Sequence, residues 1–215
     1  MKKLVFLFVA AMGLQMTVLA QNEKYVAAMK KNLTMYDSAK TVEDFTRVAN
    51  TFERIGDAEK TQWLPYYYAG LALTTAGWAD VVKDKDANST RINALCDKAE
   101  SLAATDADKA EILSVRNMSA TQQMLVDPQA RYMTYGMTAN QALEKGMKLN
   151  PNNPRLYYLK GMSLFGTPEQ FGGGKDKARP VFEKAVQLYK EEQPKELYPH
   201  WGQKQAEDMV VQCQK

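Results

Sequence analysis

The chain has 215 residues, a formal net charge of +3 and a composition that is 45% hydrophobic and 25% charged. Charges of both signs are interspersed, which gives no basis for predicting a nucleic acid or an anionic membrane as partner. The longest charge run, Lys83-Asp84-Lys85-Asp86, alternates in sign and is typical of a solvated loop.

The first twenty residues have the pattern of a secretory signal peptide. Lys2 and Lys3 precede the apolar run Leu4–Ala11, and Val18-Leu19-Ala20 fits a cleavage site before Gln21. The apolar run is short for a membrane-spanning helix, although an uncleaved anchor is the alternative. We therefore expect an exported, periplasmic or secreted protein in which residues 21–215 form one helical repeat domain without a stable membrane anchor.

Nearly every later segment has apolar residues at helical spacing, and no segment alternates as a strand does. This spacing predicts helices over residues 22–38, 42–55, 63–78, 89–103, 107–125, 130–148, 154–165, 175–191 and 201–213. Thr41 is expected to cap the second helix. Pro65 and Pro154 stand in first helical turns, where the missing N–H has no partner to lose.

A small–large–small pattern recurs in the second helix of each of four predicted helix pairs. Its large residues are Phe52, Cys96, Leu143 and Phe182. The first helices of two pairs share Tyr-x3-Gly-x2-Leu at residues 66–73 and 157–164, whereas Asn117 replaces the glycine in a third. A glycine at this point lets paired helices approach closely. Any helical bundle has apolar stripes, but the repetition favours an all-α, TPR-like α-solenoid of about four helix pairs with a C-terminal capping helix.

Several segments resemble a group of exported bacterial tetratricopeptide-repeat (TPR)-like proteins of undefined role. The resemblance is carried by Thr51–Ile55, Trp63–Ala69, Pro151–Gly161, Thr167–Gly174 and Pro199–Gly202. It extends over about residues 40–213 and implies an α-solenoid of the cell envelope. No catalytic residue carries over from such a resemblance.

The sequence predicts no catalytic residue, no metal site and no cofactor. Gly172-Gly173-Gly174 precedes a helix, but the Ser or Thr of a phosphate-binding loop is absent. His200 is the only histidine, and metal sites or hydrolytic triads need further groups. A disulfide between Cys96 and Cys213 is chemically permitted after export, but their distance along a solenoid favours free thiols.

The helical register turns one face of the first helices toward a concave groove. The residues predicted to contact a partner there are Tyr67, Ser114, Met118, Arg155, Tyr158 and Met162. Tyrosine and arginine are common interface anchors, and methionine adapts to varied surfaces. We therefore expect a non-catalytic scaffold that binds an unidentified protein segment, peptide or ligand of the cell envelope.

An alternative is a small-ligand carrier or an accessory subunit of an envelope transport system. It would need a closed apolar pocket, built from residues such as Met118, Tyr158, Met162 and Phe165. A deep pocket would favour the carrier, whereas an open groove would favour the scaffold. A self-associating structural element is a third interpretation.

Overall fold

The computed structural model describes residues 23–79 and 82–214, so the predicted signal peptide lies outside the described residues. The α-helices are α1 (residues 23–38), α2 (Val42–Glu59), α3 (Leu64–Gly77), α4 (Lys85–Leu102), α5 (Asp106–Leu125), α6 (Pro128–Arg131), α7 (Met137–Leu149), α8 (Pro154–Gly166), α9 (Lys175–Glu191) and α10 (Gln203–Gln212). A π-helical turn, Tyr132–Gly136, joins α6 to α7, and a 3-10 turn, Glu169–Phe171, precedes α9. The described residues contain no strand, and the all-α prediction is confirmed.

The longer helices pack in chain order, and α5 also contacts α3 and α8. Late in α5, Gln122 donates a hydrogen bond of 2.7 Å to the carbonyl oxygen of Thr74, late in α3. Early in α5, Glu111 pairs with Arg155, at the start of α8. The three helices therefore run in the same direction, as the first helices of stacked pairs would. The TPR superhelix itself stays a prediction.

Side-chain caps fix where several helices begin. The predicted cap at Thr41 is confirmed, because its hydroxyl accepts from the N–H of Asp44 at 3.1 Å. The prediction for α4 is wrong by four residues, since the Asp84 carboxylate accepts from Ala87 N–H at 2.8 Å and starts the helix at Lys85. Half of the charge run expected in a loop is therefore helical.

Glycine allows close helix contacts where the spacing predicted them. A Cβ atom on Gly161 would lie 2.5 Å from the Phe182 ring, which is closer than side chains pack. The matching Gly70 is looser, with Val115 Cγ1 3.4 Å away from such an atom. At the third position, Asn117 instead donates a buried hydrogen bond of 2.9 Å to the carbonyl oxygen of Ala139.

The C-terminal helix α10 covers one side of α9. Met209 and Cys213 pack with Ala178 and Phe182 in a small apolar cluster. Cys96 and Cys213 are both buried and unbridged, as the sequence favoured, and burial raises the pKa of Cys96 to about 12. Across residues 23–79 and 82–214, none of the helices has the length and apolar character needed to cross a bilayer.

Candidate functional site

Residues 192–202, here called the α9–α10 segment, cross the side of α3, α5 and α8 that sequence analysis assigned to the groove. We call this side the inner surface. Tyr68 of α3 donates a hydrogen bond of 2.9 Å to the carbonyl oxygen of Leu197. The indole Nε1–H of Trp201 donates to the hydroxyl of Tyr67 at 2.8 Å. The segment therefore covers the half of the inner surface nearest the starts of these helices.

Two further contacts hold the segment against α5 and α1. The hydroxyl of Tyr198 donates to the Asp108 carboxylate at 3.0 Å, and its ring meets Trp63 edge to face. Glu196 forms a surface ion pair with Lys30. The part-buried Tyr198 contact is the stronger anchor, since exposed ion pairs contribute little.

A charged network lies beneath the start of the segment. Arg155 Nε donates to both Glu111 oxygens, at 2.8 and 3.0 Å, and Asn153 Nδ2 donates to the same carboxylate at 2.7 Å. The other guanidinium nitrogens of Arg155 bind Glu192, at the C-terminal end of α9. This half of the inner surface is therefore a closed and hydrogen-bonded polar core.

The pKa values of the network reflect one guanidinium shared by two carboxylates. Burial raises the pKa of Glu111, and the nearby charge of Glu192 adds to this, although Arg155 and Asn153 oppose it. Burial alone would lower the pKa of Arg155, but the two carboxylates outweigh burial and raise it. Arg155 is therefore cationic, and Glu111 holds its proton more firmly than an exposed glutamate does.

The six predicted partner contacts fall into two groups. Tyr67 and Arg155 are 1% and 2% exposed, and Ser114 is fully buried, so no open groove exists at these three positions. The α9–α10 segment covers two of them, because Trp201 contacts Tyr67 and Glu192 contacts Arg155. Their role in binding stays a prediction, and it would require the segment to move. Met118, Tyr158 and Met162 lie further along the same face.

The other half of the inner surface is apolar and partly open to solvent. We call it the apolar surface; it consists of the exposed Trp78, Leu125 and Met162, the half-buried Tyr158 and Trp201, and the buried Met118 beneath them. On α5, Met118 and Leu125 follow Glu111 at successive steps of about two turns, and on α8, Met162 stands two turns after Arg155. On α3, Trp78 stands about three turns after Tyr67. Each side chain thus shares a face with a residue whose contacts place it on the inner surface.

One ring, one aliphatic side chain and one thioether are well exposed on this surface. Trp78 is 49% exposed, Leu125 50% and Met162 38%. Trp201 meets Tyr158 edge to face, with ring centroids 6.4 Å apart. Met118 and Leu125 lie about 10 Å apart along α5 at 1.5 Å per residue. Such a surface suits a flat, largely apolar molecule, because rings and thioethers pack well against planar groups.

Sequence analysis missed three members of the apolar surface. The helical register could have predicted Trp78 and Leu125, since each lies on the face of a predicted groove residue at the end of its helix. It could not have predicted Trp201, because the position of Trp201 depends on a non-helical segment. Two residues predicted to enclose a carrier's pocket do not do so. Phe165 packs toward the Phe182 cluster, and Met162 is exposed.

Other surfaces are less suited to an apolar ligand. A depression of about 680 Å³ on the outer side of α2 has charged residues of both signs in its lining, including Glu43, Arg47 and Glu53. His200 is exposed, with Nδ1 3.4 Å from the carbonyl oxygen of Tyr198. In the described part of the chain, no cluster of three metal-binding side chains is present.

No protein-family model and no curated protein matches the chain. Among solved structures, the chain is similar to the HusA haemophore from Porphyromonas gingivalis, with 34% sequence identity and a TM-score of 0.80. The similarity covers 88% of this chain and 92% of that chain. It therefore extends over nearly the whole domain of both proteins.

Proposed function

Because the chain belongs to the family of the HusA haemophore, we propose that it is an exported, non-catalytic carrier that binds haem or a related porphyrin. The observation that carries this proposal is the family relationship, which spans almost the whole length of the two chains. An envelope component that receives the porphyrin would be its partner.

The apolar surface is the part of the molecule that best fits this ligand. Haem is a flat, mainly apolar ring system with two carboxylate groups on one edge. Trp78 and Trp201 offer aromatic faces or edges, and Met162 offers an adaptable thioether. Binding there would cover side chains that water now contacts, which favours association.

Iron coordination by histidine is not needed for this mode of binding. His200, the single histidine, is exposed and lies next to Trp201 in the α9–α10 segment. Ring contacts act on the macrocycle whether or not it holds iron. We therefore expect metal-free protoporphyrin to bind with a Kd within about tenfold of that for haemin, a difference of about 1.4 kcal/mol.

The interpretation as a scaffold for protein segments has less support. It requires an open groove at Tyr67, Ser114 and Arg155, which are all buried, and the α9–α10 segment contacts Tyr67 and Arg155. The carrier needs only the uncovered half of the inner surface. We therefore keep the interpretation as a non-catalytic binding protein and propose a small molecule as its ligand.

Titration of the mature protein with haemin, followed by absorbance, tests the proposal. We expect Leu125→Asp to weaken haemin binding by about tenfold or more, because a carboxylate would stand on the apolar surface and repel the porphyrin carboxylates. Val211→Asp is the matched control, since Val211 on α10 is also 50% exposed but lies outside the apolar surface. Absence of haemin binding, or equal affinity of wild type and Leu125→Asp, would contradict the proposal.

A further inference from the structure

The α9–α10 segment is attached mainly through side chains. Among the described residues, the backbone N–H groups of the segment make two backbone hydrogen bonds, Glu192 to Leu188 and Tyr198 to Lys195. Its contacts with α3 and α5 come instead from tyrosine hydroxyls and the indole of Trp201. Glu192, which joins the segment to α9, pairs with Arg155 of α8 and holds that end in place when the rest of the segment leaves. No helix or sheet ladder has to break when the segment leaves the inner surface. A segment held in this way can detach while the helices stay folded.

One backbone conformation in the segment is unfavourable by itself. Leu197 has a φ of 68°, in the left-handed region that a leucine side chain disfavours. Its carbonyl oxygen accepts the hydrogen bond from Tyr68, so Leu197 has this conformation when the segment lies on the inner surface. We call this position of the segment the seated state. Detachment would allow Leu197 to return to an ordinary conformation. The left-handed conformation of Leu197 therefore disfavours the seated state, which depends on the side-chain contacts of the segment.

The far end of the segment forms part of the apolar surface. Trp201 is half-buried, its indole N–H is held by Tyr67, and its ring touches Tyr158. The hydrogen bond to Tyr67 exists when the segment is seated. A ligand on the apolar surface would contact Trp201 in that orientation and would lose the contact if the segment detached.

We propose that the α9–α10 segment is a lid that moves between a seated and a detached state, and that a porphyrin on the apolar surface stabilises the seated state through Trp201. This inference rests on the proposed function. Thermodynamic linkage then requires the converse: the porphyrin binds the seated protein more tightly than the detached protein by the same factor. The lid would therefore control how long the porphyrin stays bound.

Limited trypsin cleavage after Lys195 measures lid detachment, because this exposed lysine lies inside the segment. Tyr198→Phe removes the anchor to Asp108 without changing the apolar surface, and we expect it to speed this cleavage about fivefold. Tyr36→Phe is the matched control, since the Tyr36 hydroxyl bonds to Thr75, outside the segment. Cleavage after Lys40, in the exposed loop between α1 and α2, reports on a site outside the segment and should be the same in wild type and Tyr198→Phe.

Haemin supplies the second part of the experiment. Saturating haemin should slow cleavage after Lys195 at least about fivefold and leave cleavage after Lys40 unchanged. Transfer of haemin to an excess of a tighter acceptor should be about fivefold faster from Tyr198→Phe than from wild type or Tyr36→Phe. Haemin that binds without slowing cleavage after Lys195 would overturn the lid alone. Absence of haemin binding to wild type would overturn the proposed function and the coupling with it.

Discussion

Arg155 carries one positive charge that two carboxylates share at the start of α8. Its guanidinium is almost completely buried between Glu111 of α5 and Glu192 at the end of α9. Removing one member of a buried ionic group leaves the others without compensation and costs several kcal/mol, roughly 3–5. The network thus ties the last two helix pairs and the α9–α10 segment together.

The raised pKa of Glu111 predicts that its contribution to the free energy of unfolding depends on pH. A glutamate with a folded-state pKa above its ordinary value of 4.5 favours folding at low pH, and this contribution is lost as pH rises through the folded value. Glutamine at this position is neutral throughout. We therefore expect the stability of Glu111→Gln relative to wild type to increase as pH rises from 4.5 to the raised folded value. Urea unfolding at several pH values measures this difference.

The control for this prediction is Glu43→Gln, on an exposed position of α2. Its stability relative to wild type should change less over the same pH range. A Glu111→Gln difference that stayed constant, or that decreased with rising pH, would show that Arg155 and Asn153 outweigh burial at Glu111.

Helical periodicity predicted that Tyr67 and Arg155 line an open groove, whereas both side chains are buried. It did not predict what covers them, because Tyr67 and its partner Trp201 are 134 residues apart and the α9–α10 segment has no periodic pattern. Exposure of a site therefore depended on a long-range contact that local spacing does not encode.

Between elements, the closest helix contact predicted from sequence is that of α8 with α9. Gly161 lies against the ring of Phe182, and Phe182 is fully buried. The sequence shows both halves of this contact, the Tyr-x3-Gly-x2-Leu spacing in α8 and the large residue of α9. This contact could be predicted because each half of it is a local helical pattern.

Gly161→Ala tests how tight the contact is. The new methyl group would force Phe182 to move, at a cost of about 1–3 kcal/mol, against a gain in helix propensity of about 1 kcal/mol. We expect a lower free energy of unfolding in urea. Gly166→Ala, at the end of the same helix, is the control, because a Cβ there has no neighbour within 4 Å. Equal stability of the two variants would mean that Phe182 relaxes freely.

Helix ends were less predictable than helix contacts. The alternating charges of residues 83–86 favoured a loop, but Asp84 acts as an N-cap and brings two of them into α4. The predicted helix over 130–148 begins at Pro128 and contains the π-helical turn Tyr132–Gly136. Both differences arise from hydrogen bonds at single positions, which apolar spacing does not detect.

For the whole molecule, chain-order packing leaves the apolar side of the last pair to α10. Ala206 and Met209 of α10 are buried, as are Phe182 and Ala185 on the helix beneath. The sequence predicted a final capping helix over 201–213, and a helix is present at Gln203–Gln212. The all-α fold could thus be predicted almost completely, whereas the full set of residues in the apolar surface could not.

Removal of residues 203–215 should destabilise the protein by more than about 3 kcal/mol, because buried side chains such as Phe182 and Met209 contribute about 1.5–3 kcal/mol each. The uncovered side of α9 should also cause association. Thermal unfolding and light scattering measure the two effects. A control that lacks residues 214–215, of which Gln214 is exposed, should behave as wild type. A monomeric, equally stable truncated protein would show that α10 is dispensable.

The direction of α3 and α5 also bears on how the proposed ligand would lie on the apolar surface. Trp78 and Leu125 stand at the carbonyl ends of these two helices, and each end carries about half a negative charge from its aligned peptide dipoles. Lys85 moderates the end of α3 by donating to the carbonyl oxygen of Ala79 at 2.8 Å. A dicarboxylate ring would therefore enter by its uncharged edge and keep its acidic edge turned toward water.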